Sequence, residues 1–97
     1  MLKGELTNIH HTLTFLSVIN PFNQELKFDI IVQQNGAADV ELIDGSGKIV
    51  RKNKMFVTAG VNHLEISNTG IFSPGIYTLR VHTGDMFIFK RVMKQNK

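Results

Sequence analysis

The chain has 97 residues, a formal net charge of +3 and no cysteine, and 42% of its residues are hydrophobic against 20% charged. This length suits one domain, and the balance of apolar and charged residues excludes a disordered chain. The lack of cysteine excludes a disulfide framework or a cysteine-based zinc site. The longest apolar stretch is far shorter than the ~20 residues that span a bilayer. Residues 1–5 do not open a signal peptide, so an export leader would lie outside this sequence.

Alternation and turn residues dominate the chain, and they predict β-strands rather than helices. The clearest strand, residues 25–32, alternates apolar and charged side chains as a half-buried antiparallel strand does. Its apolar face comprises Leu26, Phe28, Ile30 and Val32. Further strands are predicted at residues 13–19, 39–43, 48–56, 61–66, 76–82 and 86–93. The last of these is apolar on both faces at its start, so its inward side stays unassigned.

Turn signals separate the strands at short intervals. They are Asn20-Pro21, Asn35-Gly36, Asp44-Gly45-Ser46-Gly47, Ala59-Gly60, Ser73-Pro74-Gly75 and Thr83-Gly84-Asp85. We expect Gly36, Gly45, Gly47 and Gly75 to adopt the positive φ angles that glycine permits. Seven short strands spaced roughly 8–12 residues apart predict an all-β, seven-stranded immunoglobulin-like antiparallel β-sandwich over residues 13–97, with a barrel as the alternative. Residues 1–12 are expected to form a flexible lead-in or linker.

The basic residues are concentrated at the C-terminal end. Lys90, Arg91, Lys94 and Lys97 occur there, with no acidic residue after Asp85. A basic tail can contact nucleic acid or an acidic surface, but lysines also protect an exposed strand edge. Because no interleaving of aromatic and basic residues typical of a base-stacking platform accompanies them, we favour a protected edge and expect no nucleic-acid partner.

The histidines do not form a recognisable metal site. His10 and His11 are adjacent, and neighbouring side chains of a strand point in opposite directions, so the pair cannot converge on one ion. His63 and His82 fall on the outward faces of separate predicted strands. We therefore interpret all four as surface residues and predict no metal.

Other candidate sites are equally weak. Asp44 with Ser46 suggests a calcium loop, but few further oxygen ligands are near. Gly47 suggests a phosphate loop, but no strand–loop–helix unit accompanies it. Tyr77 is expected in the core, with its hydroxyl bonded to backbone at the sandwich edge. No serine, histidine and acid follow a catalytic motif, so the sequence predicts a non-enzyme without catalytic residues or cofactor.

The order of the turn signals is more specific than the composition. Asn20-Pro21-Phe22-Asn23 is followed by Gly47-Lys48-Ile49-Val50, then by Gly75-Ile76-Tyr77, and the chain closes on the basic strand Lys90-Arg91-Val92-Met93-Lys94. This succession resembles the C-terminal sorting domain of type IX secretion cargo proteins, across about residues 15–97. The sequence departs from that family at Ile19, where proline is usual.

The resemblance implies a targeting module. Such a domain is recognised in the periplasm and carries its cargo through an outer-membrane translocon to the cell surface or extracellular space. A sortase-like peptidase then cuts upstream of the domain, which here means in or before the region that precedes Leu13. The implied partners are the translocon and the peptidase, with no small-molecule substrate; edge strands also allow weak self-association.

The candidate recognition residues follow from the same resemblance. They are Asn20, Pro21, Phe22, Gly47, Gly75, Tyr77, Lys90 and Lys94. Lys90 and Lys94 are the leading candidates, expected on the surface of the last strand, with Gly75 and Tyr77 as scaffold.

The alternative is a generic immunoglobulin-like spacer or a ligand-binding module, for glycan or protein, of a secreted protein. Such a module predicts an exposed aromatic or hydrophobic patch. The sequence displays none, because most of its seven phenylalanines are expected at inward positions.

Overall fold

The structure is a computed structural model that describes residues 13–95. These residues form seven β-strands and one short 3₁₀ helix. The elements are β1 (Leu13–Val18), β2 (Glu25–Val32), β3 (Gly36–Ile43), β4 (Ile49–Val57), β5 (Gly60–Ser67), the 3₁₀ helix (Thr69–Ile71), β6 (Gly75–Thr83) and β7 (Met86–Lys94). The expected lead-in, residues 1–12, lies outside the described residues. Between residues 13 and 95, no helix is long and apolar enough to cross a membrane.

The strands form two sheets, one with the order β1-β2-β5 and the other with the order β4-β3-β6-β7. Every strand pairing is antiparallel. The predicted seven-stranded β-sandwich is therefore confirmed, and the barrel alternative is not. β1 and β5 form the edges of the smaller sheet, and β4 and β7 form those of the larger one.

One core lies between the two sheets, and alternation along each strand supplies it. All four apolar residues of the predicted inner face of β2 are buried, with Leu26 and Ile30 fully so. The facing sheet contributes Val40, Leu42, Tyr77, Leu79, Val81 and Val92. Burial of these side chains is the main stabilising contribution in a domain that has no disulfide.

The structure assigns the faces of β7, which the sequence left open. Val92 is 1% exposed and lies in the core, whereas Phe87 and Phe89 are 47% and 58% exposed. Because a sandwich of two sheets has a single core, a strand that is apolar on both faces must leave one face outside. The expectation that the sequence displays no exposed aromatic patch is therefore wrong.

Two of the four glycine expectations are also wrong. Gly47 and Gly75 have φ angles of 92° and 146°, but Gly36 and Gly45 are not among the residues with positive φ. Gly36 is instead the first residue of β3, paired with Val57. A glycine in a turn-like sequence permits a positive φ angle without requiring it.

Candidate functional site

The segment between β1 and β2 crosses to the other sheet and binds the end of β7. The N–H of Phe22 donates to the carbonyl of Met93 at 2.9 Å, and the N–H of Gln95 donates to the carbonyl of Phe22 at 2.8 Å. These bonds form an isolated parallel bridge between Phe22 and Lys94. We call residues 20–22 together with residues 93–95 the Phe22 clamp. The clamp ties the C-terminal strand to a segment about 70 residues earlier in the chain.

Asn20 and Pro21 complete the clamp. The side-chain oxygen Oδ1 of Asn20 accepts a hydrogen bond from the N–H of Met93 at 2.8 Å. The peptide bond between Asn20 and Pro21 is cis. Three consecutive sequence-predicted candidates thus lie against the last strand, which the sequence could not show.

Phe22 also anchors an aromatic cluster. Its ring is 2% exposed and meets the ring of Tyr77 edge-on, at 6.1 Å between centroids and an interplanar angle of 72°. The Tyr77 hydroxyl donates to the carbonyl of Ser73 at 2.6 Å, so the prediction of a core tyrosine bonded to backbone is confirmed. Burial and, to a lesser extent, the negative charge of Asp44 raise the pKa of Tyr77. The hydroxyl therefore stays protonated as a donor.

The two leading lysines occupy different environments. Lys94 is only 4% exposed, and its Nζ donates to the carbonyl of Gln95 at 3.0 Å and to Oδ1 of Asn23 at 3.4 Å. Lys90 is exposed. Lys94 was expected on the surface, but it is buried, because its neighbours in and around the clamp cover it. Lys94 is therefore part of the Phe22 clamp.

Gly47 lies in the turn between β3 and β4. Oδ1 of Asp44 accepts hydrogen bonds from the Ser46 hydroxyl at 2.7 Å, from the Ser46 N–H at 2.9 Å and from the Lys48 N–H at 3.0 Å. The bonds from the Ser46 hydroxyl and the Lys48 N–H lower the pKa of Asp44. This carboxylate organises the turn, because Oδ1 accepts its three hydrogen bonds from groups of the turn itself.

The turn between β3 and β4 lies at the same end of the sandwich as the clamp. A Cβ atom at Gly45 would stand 3.7 Å from the carbonyl oxygen of Ile76, which follows Gly75. Gly75 in turn pairs with Lys94. The structure thus gathers seven of the eight candidates at one end, and only Lys90 lies further along β7.

A serine, an aspartate and a histidine meet on the outer face of the smaller sheet. Nδ1 of His63 lies 2.8 Å from Oδ1 of Asp29, and the Ser17 hydroxyl donates to Oδ2 of Asp29 at 3.3 Å. The carboxylate stands between the other two groups, so this arrangement gives the imidazole no bond to the hydroxyl whose proton it would have to take. The described residues also contain no group of three or more His, Cys, Asp or Glu side chains placed to hold a metal ion. His10 and His11 lie outside the described residues.

The first half of β7 carries an exposed row of rings. Phe87 stacks on His82 at 4.4 Å between centroids, and Phe89 continues the row at 6.5 Å from Phe87. The guanidinium of Arg80 lies 5.9 Å from the centre of the Phe87 ring. We call His82, Phe87 and Phe89 the aromatic row. The only feature of the sequence that indicated the aromatic row was that the last predicted strand begins with apolar residues on both faces.

Fold and site together define a β-sandwich module in which the hydrogen bonds of the candidate residues serve the fold, with the last strand held by the clamp. The sequence matches the family described as "Secretion system C-terminal sorting domain" over residues 20–95. The chain belongs to this family, the type IX secretion C-terminal sorting domain, and the resemblance is confirmed. The family is a targeting signal and not a catalytic family. Membership implies interaction with the type IX secretion machinery and export across the outer membrane to the cell surface or extracellular space.

Comparison of structures adds the fold alone. The chain is similar to part of a β-glucosidase from Listeria innocua, crystallised in complex with glucose, with a TM-score of 0.57 and 16% identity. The similarity covers 86% of this chain but only 16% of that enzyme chain. No curated protein matches the sequence.

Proposed function

We propose that this chain carries a cargo protein through the type IX secretion system as a folded signal, and that a sortase-like peptidase cuts upstream of it. The observation that carries this proposal is the clamp. The family match runs from Asn20 to Gln95, and these two residues are the outer members of the clamp's hydrogen-bonded segments. The family-specific part of the sequence therefore coincides with a unit that the clamp closes.

The clamp also argues for recognition of a folded domain over recognition of a linear tail. Residues 93–95 are held by bonds to residues 20–22, so the end of β7 has its described geometry only when the sandwich is formed. A receptor for this strand would meet it as part of a surface that includes β6 and the clamp. Unfolding would remove that surface even if the last residues remained.

Burial of the first strand supports a cut upstream of β1. A peptidase needs an extended and accessible segment, and ordered strands resist cleavage unless they open locally. Leu13 is only 6% exposed and pairs with Val32 as the first residue of β1. The scissile bond is therefore proposed to precede Leu13.

The test is a reporter that carries an inner-membrane export leader and, at its C-terminus, the 97-residue chain. It is expressed in a strain with the type IX system and in the same strain lacking the translocon. We expect extracellular or surface-bound reporter only in the first strain, with a new C-terminus upstream of Leu13 by mass spectrometry. Periplasmic retention of the intact fusion in both strains would contradict the proposal.

Truncation from Lys90 is a poor control in this assay, although it is the obvious deletion. It would remove Val92 from the core and half of the clamp, so loss of export could reflect unfolding. A better pair is Asn20→Ala, which removes the clamp's side-chain bond to Met93 and leaves the core intact, and Phe56→Ala, which removes a ring that is 83% exposed. We expect the first variant to lose export and the second to retain it.

The second candidate is a spacer or ligand-binding module, and the aromatic row favours it because such a module needs an exposed patch. In the same assay this function predicts that the reporter stays in the periplasm of both strains. Export that depends on the translocon would therefore decide between the two candidates.

A further inference from the structure

Apart from the bridge at Phe22, the outer edge of β7 forms no backbone pairing with any strand of residues 13–95, although residues of β1 approach it within 8 Å between Cα atoms. β7 is the last strand of its sheet, and alternate residues of an antiparallel strand direct their N–H and C=O groups to opposite edges. Met93 directs both groups to the clamp. By alternation, the groups of Arg91, Phe89 and Phe87 point to the same outer edge. Within residues 13–95 the bridge at Phe22 is the only one on this edge.

The side chains along this edge are exposed as well. Phe87 and Phe89 are 47% and 58% exposed, and both rings lie on the outer face of the sheet. A strand that adds to an edge gains affinity from backbone hydrogen bonds and specificity from alternate side chains. An uncovered apolar edge is otherwise prone to aggregation. The edge therefore has both features that a docking strand needs.

The charge of β7 indicates which kind of segment would bind along its outer edge. β7 carries Lys90, Arg91 and Lys94 and no acidic residue, and Lys90 and Arg91 form no ion pair with any residue between 13 and 95. An acidic strand would give these two exposed cations partners.

β6, the neighbour of β7 in the sheet, has no acidic residue, and those of β3 on the far side of β6 are already engaged. Glu41 pairs with Arg80 and lies 3.8 Å from Nζ of Lys52, and Asp39 lies 3.7 Å from Nζ of Lys54. A second copy of β7 would set the uncompensated cations of two chains against each other, and like charges on facing strands are destabilising.

We propose that β7 accepts an extended, acidic segment of a partner protein as an added strand along residues 87–91. This inference rests on the proposed function, because the partner would be a component of the secretion machinery that receives the folded domain. The clamp limits the added strand at its far end, since Met93 and Gln95 already bond to residues 20–22. The aromatic row and the cations at 90 and 91 then contact its side chains.

A matched pair of substitutions separates backbone docking from side-chain contact. Phe89→Pro removes an N–H that points outward, and proline is tolerated on an edge strand where its missing N–H would face solvent. Phe89→Ala removes the same ring but keeps the N–H. Melting curves of both variants check that each is folded. In the reporter assay we expect Phe89→Pro to lower the exported fraction by about tenfold, because loss of one strong hydrogen bond weakens a binding equilibrium by about that factor. We expect Phe89→Ala to lower the exported fraction less.

The outcomes of this assay separate the two proposals. If the wild-type fusion is not exported, the proposed function is wrong. If the wild-type fusion and folded Phe89→Pro are exported equally, export occurs without strand addition at this edge, and the inference is overturned. If Phe89→Ala loses as much export as Phe89→Pro, the ring carries the contact and strand addition is again overturned.

The acidic character is tested with defined probes on the 97-residue chain. One probe is a hexapeptide of alternating Glu and Val, with N-methyl groups on one edge so that it cannot stack into sheets, and the control replaces Glu with Lys. We expect the Glu peptide to shift the amide resonances of Phe87, Phe89 and Arg91, more strongly at low salt. Equal binding of the Lys peptide, or no shift with either, would overturn the acidic occupant. Shifts at these amides that depend on protein concentration alone would instead identify a second copy.

Discussion

The two halves of β7 differ although they belong to one strand and pair with the same neighbour. β7 pairs with β6 along its whole length, from Met86 opposite Thr83 to Lys94 opposite Gly75. Towards its end the clamp also occupies the other edge, and Val92 and Lys94 are buried. In residues 86–91 the other edge has no bridge from the described residues, and the rings of the aromatic row are exposed. One paired edge is sufficient to hold the strand, so the second edge can serve either stability or recognition.

The largest expected effect on stability comes from disrupting the closed half of β7, which is the half that the clamp binds. Phe22→Ala removes a fully buried ring that contacts Tyr77, and such a change costs about 3–5 kcal/mol of unfolding free energy. Phe56→Ala, at a ring that is 83% exposed, should stay within about 0.5 kcal/mol of the wild type. Urea unfolding measures both. A similar small loss in both variants would mean that the clamp contributes little to stability.

A smaller effect is expected at the turn beside the closed half. Gly47 has a φ angle of 92°, where a side chain is strained, so Gly47→Ala should cost about 1–2 kcal/mol. Gly45→Ala is the matched control in the same turn, because Gly45 has no positive φ and a Cβ there meets its nearest atom at 3.7 Å. Thermal unfolding of the two variants should separate them clearly. Equal melting temperatures would contradict the described turn.

The smallest effect is a pH dependence in the same turn. Hydrogen bonds from Ser46 and Lys48 lower the pKa of Asp44 in the folded state, so the stabilisation is present at neutral pH and is lost as the pH falls through the lowered pKa. Asp44→Asn removes this titration. The difference in melting temperature between wild type and Asp44→Asn should therefore shrink below about pH 4. A difference that stays constant down to pH 2 would show that the carboxylate charge does not matter.

Alternation explains what the sequence could predict. The inner face of β2 follows from residues 26, 28, 30 and 32, because a strand has a period of two and only one of its faces is apolar. The same rule fails for β7, where both faces are apolar at the start. The rule also says nothing about which distant segment borders a strand edge. The bond from Met93 to Asn20 and the burial of Lys94 depend on such a neighbour, so they required the structure.

All eight candidate residues came from the order of motifs, and the structure places seven of them near the clamp. Their roles in recognition remain predictions. Phe87, Phe89 and Arg91 were not among the candidates, because the motif order draws attention to glycines, prolines and the final lysines. The basic residues indicated that the last strand lies at an edge, and β7 does, but which of its residues face the open edge depends on sheet order and pairing.

The most direct test of the difference between the two halves is amide hydrogen exchange along β7, measured by NMR on the 97-residue chain. The account predicts slow exchange for the N–H groups of Met93 and Gln95, which the clamp binds, and fast exchange for those of Phe89 and Arg91, which face the open edge. Asn20→Ala should accelerate exchange at Met93 and leave Phe89 unchanged. Equal protection of Phe89 and Met93 in the monomer would contradict the account.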